Sequence, residues 1–209
     1  MISKFMDAHL GETCVIIGNG PSLKQVSNIW LSKYPTFGTN RVYLKFIPDY
    51  FVCTNPLVLS QNKSAIEMLD CDKFTRAGYI DSANPLNINP TKEFSYRPHE
   101  WVYEGYTVTF VAMQLAYYFG FTTVLLVGVD HSYKYDGKPN QEMIMNNDDP
   151  NHFDPSYFKG QKWNNPDLEK SEISYRLAKE AFEKDGRRII NLTPDSKLNV
   201  FEKDSIEKW

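Results

Sequence analysis

Residues 14–23, C-V-I-I-G-N-G-P-S-L, decide how this chain is read. The stretch opens apolar, with β-branched Val15, Ile16 and Ile17. That is the pattern of a strand buried on both faces of a parallel sheet. It breaks at Gly18-Asn19-Gly20-Pro21. Glycine allows positive φ and close approach of a ligand to the backbone. Pro21 suits the first turn of a helix, and Ser22 places a hydroxyl there. Strand, glycine turn and helix start together aim free N–H groups at an anion. The stretch therefore predicts a nucleotide or phosphate site at the end of the first strand. It is not G-x-G-x-x-G, because the third glycine is missing, nor a Walker A loop, because no Gly-Lys-Ser/Thr follows. A tight turn with no ligand is the competing reading.

Working outward, residues up to about 10 read as a lead-in helix, and 22–31 as the helix after the first strand. Strands are expected over 34–40, 50–54 and 74–80, with a helix over 57–69. Residues 81–106 carry Pro85, Pro90 and Pro98 and read as a long irregular loop. Residues 107–119 are apolar almost all round, as in a core helix, and Gly120 ends it. T-T-V-L-L-V-G-V at 122–129 is a second buried strand. Residues 130–166 are rich in Asn, Asp, Tyr, Gly and Pro. So long a loop in a compact domain is functional or disordered, and its aromatics predict a lid over a ligand. An amphipathic helix follows over 167–184, then a last strand over 188–192, with Leu198, Val200 and Phe201 packing back.

Alternating strands and helices predict an α/β fold, a Rossmann-like, mainly parallel sheet flanked by helices with a mobile lid. We expect one nucleotide-binding domain over 1–209, with the lid at about 131–166. Gly18-Asn19-Gly20, Thr39-Asn40-Arg41, Thr54-Asn55 and Asp130-His131 all follow strand ends, and Asn191-Leu192-Thr193 ends the last strand. Ligands in open α/β sheets bind at that edge.

Bulk properties narrow the function classes. The 209 residues are 42% hydrophobic and 23% charged, with a formal net charge of −3. An acidic balance argues against a general nucleic-acid surface. No apolar run reaches the roughly 20 residues of a membrane span, and the N-terminus lacks the apolar core of a secretory signal. The three cysteines, Cys14, Cys53 and Cys71, have no metal-type spacing and read as reduced thiols in a cytoplasmic protein.

With the strand tips side by side, the sequence resembles the bacterial sialyltransferases of glycosyltransferase family 42 and the related MptE-like proteins of the DUF115 group. The resemblance is carried by G-N-G-P-S-L at 18–23, T-N at 39–40 and N-P at 55–56. T-x-x-x-x-A at 107–112, F-G-F-T-T-V-L-L-V-G-V-D at 119–130 and N-H-F at 151–153 continue it. It implies a GT-A-like variant of the Rossmann-like fold, with a CMP-sugar donor and a glycan acceptor as partners, and leaves room for a homo-oligomer. By motif it assigns the nucleotide to Gly18, Asn19, Gly20, Ser22, Asn40 and Asn55, with Thr107, Thr109 and Asp130 beside them. It assigns general-base catalysis to His152 and phosphate stabilisation to Tyr133 and Tyr135. Two motifs depart from the sialyltransferase pattern. Ser132 stands nearest the position of their tyrosine after G-I-D, and T-V-T at 107–109 replaces T-S-G. The sequence is also shorter and lacks their membrane-associating C-terminal extension.

Histidine titrates near neutral pH and suits a base that takes an acceptor hydroxyl's proton. Tyrosines can hold a leaving phosphate with no metal or other cofactor, and asparagine both donates and accepts to a nucleotide. His131 is the rival base, and Asp130 is the alternative cap of its own loop. Two other functions stay open. One is an MptE-like 6-hydroxymethylpterin diphosphokinase using ATP and Mg²⁺, with Asp148, Asp149 and Asp154 as ligands. The other is a non-catalytic nucleotide-sugar binding module.

Overall fold

The computed structural model describes residues 2–209. In chain order the elements are β1 (Thr13–Ile17), α1 (Asn28–Leu31), β2 (Thr36–Thr39), β3 (Tyr50–Cys53), α2 (Pro56–Gln61), α3 (Lys63–Glu67), β4 (Asp72–Arg76) and β5 (Asn84–Leu86). Then come β6 (Ile88–Asn89), β7 (Val102–Tyr103), α4 (Val108–Tyr118), β8 (Thr123–Val127), β9 (Glu142–Ile144), β10 (Lys162–Asn164), α5 (Leu168–Lys184), β11 (Arg188–Asn191) and β12 (Glu202–Lys203). Eight of these strands form one sheet in the order β12-β11-β8-β1-β2-β3-β4-β5. Every pairing in it is parallel. This is the expected α/β, Rossmann-like architecture.

The central strands are apolar on both faces because both faces are covered. Cys14 and Ile16 of β1, with Val124 and Leu126 of β8, belong to the core that α4 and α5 close. Val15, Ile17, Leu125 and Val127 alternate with them and belong to a second core. That second core also contains Phe153, Tyr157, Phe158 and Trp163 of the lid segment. Each fully buried side chain of this size contributes about 1.5–3 kcal/mol relative to exposure. The lid is therefore a packed wall of the domain. Its aromatics pack on this face of the sheet.

Several boundaries differ from the sequence reading. The lead-in is a single 3-10 turn, Ile2–Phe5. The helix expected over 22–31 is a 3-10 turn, Pro21–Gln25, followed by α1. Val26 is extended between them, and Ser27 restarts the helix by accepting from the Ile29 amide at 3.2 Å. The helix expected over 57–69 breaks at Asn62, whose side-chain amide donates to the Val58 carbonyl at 2.8 Å. An asparagine that engages the backbone in this way favours a helix boundary.

Residues 81–106 are not one loop. They contain β5, an edge strand of the main sheet, and the small β6–β7 pair. Gln114, fully buried in α4, organises this excursion. Its Oε1 accepts from the Ser95 and Tyr103 amides, at 3.1 and 3.0 Å, and its Nε2 donates to the Tyr103 carbonyl at 2.8 Å. A side chain can thus do the work of a strand partner for a segment with no periodicity of its own. Leu198 and Phe201 are buried, as expected, and the tail adds β12 beside β11. No helix among the described residues is long and apolar enough to cross a membrane.

Candidate functional site

β2 to β5 lie on one side of β1, and β8, β11 and β12 on the other. The strand order reverses between β1 and β8. A crevice opens outside the C-terminal ends of strands at such a switch point. A cavity of about 540 Å³ occupies this place. Gly18, Asn19, Thr39, Asn40, Thr54, Asn55, Asp130 and His131 all line it, so the four strand tips expected at one edge do meet there. Arg41 does not line it. Asn191 and Thr193 stand behind it: Thr193 Oγ1 accepts from the Val129 amide at 3.0 Å, and Asn191 Nδ2 donates to Ser196 at 3.0 Å.

The glycines of the opening stretch are demanded by backbone packing. The Gly18 amide donates to the Val127 carbonyl and the Gly20 amide to the Gly128 carbonyl, each at 2.8 Å. A Cβ on Gly18 would collide with the Gly128 carbonyl, and one on Gly20 with the Asp130 carboxylate. Gly128 adopts φ +68°, which disfavours any side chain. Asp130 then ties the turn shut: its carboxylate accepts from the Ser22 amide at 3.1 Å and the Ser22 hydroxyl at 2.7 Å. Ser22 and Gly20 do not line the cavity. Both oxygens of Asp130 are engaged with Ser22, so this pair holds the turn, which is the capping role weighed for Asp130.

Three asparagines reach the cavity from β1, β2 and β3. Asn19 Nδ2 donates to the Thr39 carbonyl and hydroxyl, at 2.9 and 3.0 Å, locking the first tip to the second. Asn40 sits at φ +51°, and its Oδ1 accepts from the Cys53 thiol at 3.4 Å. Burial pushes that thiol up to about 12, so it stays protonated and keeps donating. Asn55 caps α2, its Oδ1 accepting from the Leu57 amide at 2.9 Å. Asn40 and Asn55 thus keep their Nδ2 groups for a ligand. Thr107 and Thr109 line the cavity at the start of α4, whose first turn has no side-chain cap.

The lid brings His152 to the same cavity. Its ring stacks on Tyr157, 4.1 Å between centroids and 6° between planes. Its Nδ1 lies 2.7 Å from Asp149, whose side chain is fully buried. A carboxylate can only accept, so Nδ1 carries the proton and Nε2 is the free basic nitrogen. Asp149 also accepts from the Asn151 amide at 2.9 Å. Asn151 in turn grips both backbone groups of Lys134, at 2.7 and 2.9 Å. The neighbouring Tyr133 lines the cavity and stands edge-on to His152, with centroids 6.2 Å apart. Burial raises the Tyr133 phenol above its ordinary value, which keeps it a donor.

Tyr135 is not brought to the site. It donates to the Pro166 carbonyl at 3.0 Å and does not line the cavity. The three lid aspartates do not converge: Asp148 pairs with Lys159 at 2.8 Å, Asp149 with His152, and Asp154 accepts from Ser156. Among the described residues no group of three or more His, Cys, Asp or Glu is placed to hold a metal ion.

The rival histidine, His131, faces the cavity from the tip of β8, with Nε2 3.2 Å from Glu172 of α5. Burial lowers its pKa despite that carboxylate. The lid is docked on the strand tips. The Phe153 amide donates to the Asn19 carbonyl at 2.9 Å, and the Arg41 amide to Tyr157 at 3.0 Å. Gln61 of α2 meets both backbone groups of Lys162 in β10, at 2.9 and 3.0 Å.

Sequence reasoning missed Asn140, Asn164, Asn165, Tyr106 and the Arg76–Glu104 pair (2.8 Å), all of which line the cavity. No local motif marks them. For two of them, Tyr106 and Asn140, the signal is conformational. Asn40, Tyr106, His131 and Asn140 line the cavity and belong to a group of six described non-glycine residues at positive φ, with Asp7 and Asp195. Such strain clusters at functional sites.

No protein-family model matches the chain, and no curated protein matches it. Solved structures do share its fold. One is the MAf glycosyltransferase from Magnetospirillum magneticum AMB-1, at 13% identity and a TM-score of 0.60, over 96% of this chain. The chain spans only about a third of that molecule, 34%. The other is the sialyltransferase CstII from Campylobacter jejuni, solved with cytidine-5'-monophosphate, at 14% identity and a TM-score of 0.53. That match covers 94% of this chain and 86% of CstII. The fold of this chain is thus shared with two glycosyltransferase structures.

Proposed function

We propose that the chain is an inverting glycosyltransferase that moves a sugar from a CMP-linked donor to a hydroxyl of a glycan acceptor. The observation that carries this reading is the buried Asp149–His152 pair, set on the same cavity as the Asn19, Asn40 and Asn55 tips. The tips hold the nucleotide. The acceptor oxygen attacks the anomeric carbon, and the bond to the CMP phosphate oxygen breaks, its electron pair leaving with the phosphate. His152 Nε2 takes the acceptor's proton. Tyr133 donates a hydrogen bond to the departing phosphate as its charge grows. A single displacement inverts the anomeric centre. The shared fold with a CMP-bound sialyltransferase supports the choice of nucleotide.

The test is a thermal-shift comparison of CMP with ATP, each with and without Mg²⁺, on wild type and His152→Ala. CMP is expected to raise the melting temperature of both proteins more than ATP does. Turnover of a CMP-sugar is expected to fall by about 10²–10⁴-fold in the variant, the usual share of a general base. Stabilisation by ATP with Mg²⁺ and none by CMP would overturn the reading in favour of the diphosphokinase. Unchanged turnover in His152→Ala would remove His152 as the base.

A further inference from the structure

We propose that Tyr106 is the platform on which the acceptor sugar stacks; this rests on the glycosyl-transfer reading. Tyr106 lies two residues before α4, next to its N-cap Thr107, and lines the cavity. Its φ is +61°, and Gly105 before it also has φ +61°. For a bulky aromatic residue this backbone conformation is a genuine outlier. Position 105 has room only for glycine, since a Cβ there would collide with Phe110 of α4 and Ser174 of α5, and glycine takes a left-handed φ without strain. Two consecutive left-handed residues therefore deliver one tyrosine to the mouth of the site.

That tyrosine contributes little to the core, being 44% exposed. Its ring is steadied instead. Lys170 Nζ stands 4.9 Å over the centroid and is itself held by Asp167 at 2.9 Å. Asn140 of the lid donates to the same Asp167 carboxylate at 3.3 Å. A half-exposed aromatic ring with an ammonium over one face, near an amide and a carboxylate, suits the two sides of a pyranose. The ring's C–H face is apolar and packs on the tyrosine. Its hydroxyls both donate and accept, and meet the polar rim. The left-handed conformation coincides with a half-exposed ring at the cavity, and strain of this kind clusters where a ligand is held.

The experiment displays a panel of immobilised mono- and oligosaccharides to the CMP-loaded protein, with CMP thermal shifts measured in parallel. Wild type is expected to bind a subset of the glycans. Tyr106→Ala should lose at least about tenfold in that binding, and Tyr106→Trp should keep it. Tyr106→Gly relieves the left-handed strain, so it should melt no lower than wild type and still lose binding. All variants should keep the wild-type CMP shift. Wild type that takes up CMP but binds no glycan overturns the platform. So does Tyr106→Gly or Tyr106→Ala binding as wild type does. Absence of a CMP shift in wild type removes the donor reading instead, and the same panel shown to the ligand-free protein then decides Tyr106 by itself.

Discussion

At the strand tips, position is set by the backbone. Gly18 and Gly128 touch main chain to main chain, and the Gly18 and Gly20 amides are fixed on the carbonyls of Val127 and Gly128. In the lid, position is set by side chains. His152 stacks on Tyr157, Asp149 fixes its tautomer, and Asn151 holds the Lys134 backbone. The two regions wall one cavity and fail differently when disturbed. A change at the tips strains a sheet that has no slack. A change in the lid alters the orientation of a few side chains while the sheet stays intact. The proposed division of labour follows, with the rigid wall placing the donor and the side-chain wall performing the proton transfer.

The largest expected effect would break the rigid side. Gly20→Ala drives a methyl into the Asp130 carboxylate that caps the turn. We expect about 3 kcal/mol of destabilisation in chemical denaturation, at the upper end for overpacking. A loss under about 0.5 kcal/mol would show that the turn has room, and the contrast between the two walls would fall. Next comes the adaptable side. Asp149→Asn keeps the size but loses the obligatory acceptor, so His152 can take the unproductive tautomer. Turnover of a CMP-sugar should drop by about 10²-fold, in the range of general-base effects, with the CMP thermal shift unchanged. A fall in CMP binding as large as the fall in turnover would mean that Asp149 supports the cradle instead.

The smallest effect sharpens the boundary between the walls. His131 stands at the tip of β8, and burial lowers it from its ordinary value of 6.5. On acidification the unfolded chain takes up this proton before the folded chain does. The stabilising contribution is therefore complete above about pH 6.5 and shrinks as pH falls towards the folded value. Between about pH 7 and pH 5.5 the melting temperature should decline more steeply in wild type than in His131→Asn, a residue that tolerates positive φ. Parallel curves would show that His131 bears no such linkage.

The rigid wall was legible in the sequence, and much of the adaptable wall was not. Apolar runs at β1 and β8 and polar residues at their ends report the parallel sheet and its switch point, because both faces of such strands must be buried. His152 was found through a short motif. The β7 end of the small β6–β7 pair escaped because Gln114, distant in sequence, satisfies the backbone of Tyr103. Packing of the lid escaped as well, since its six aromatics Tyr133, Tyr135, Phe153, Tyr157, Phe158 and Trp163 carry no helical or strand period. Ser22 was read as facing the ligand, although it faces Asp130 from more than a hundred residues away. Tyr135 was expected at the phosphate, but its hydroxyl donates to the Pro166 carbonyl, a partner distant in sequence, while Tyr133 lines the cavity.

The double grip of Asn151 on Lys134 has a consequence for timing. It interlocks the segment bearing Tyr133 with the segment bearing His152, as a single bridge would in a small sheet. Any displacement of the lid removes the proposed base and the proposed phosphate-holding phenol in one movement. On the proposed reading, the base and the phosphate-holding phenol are therefore present together or absent together, and no state of the lid moving as one body would leave an activated donor facing water alone.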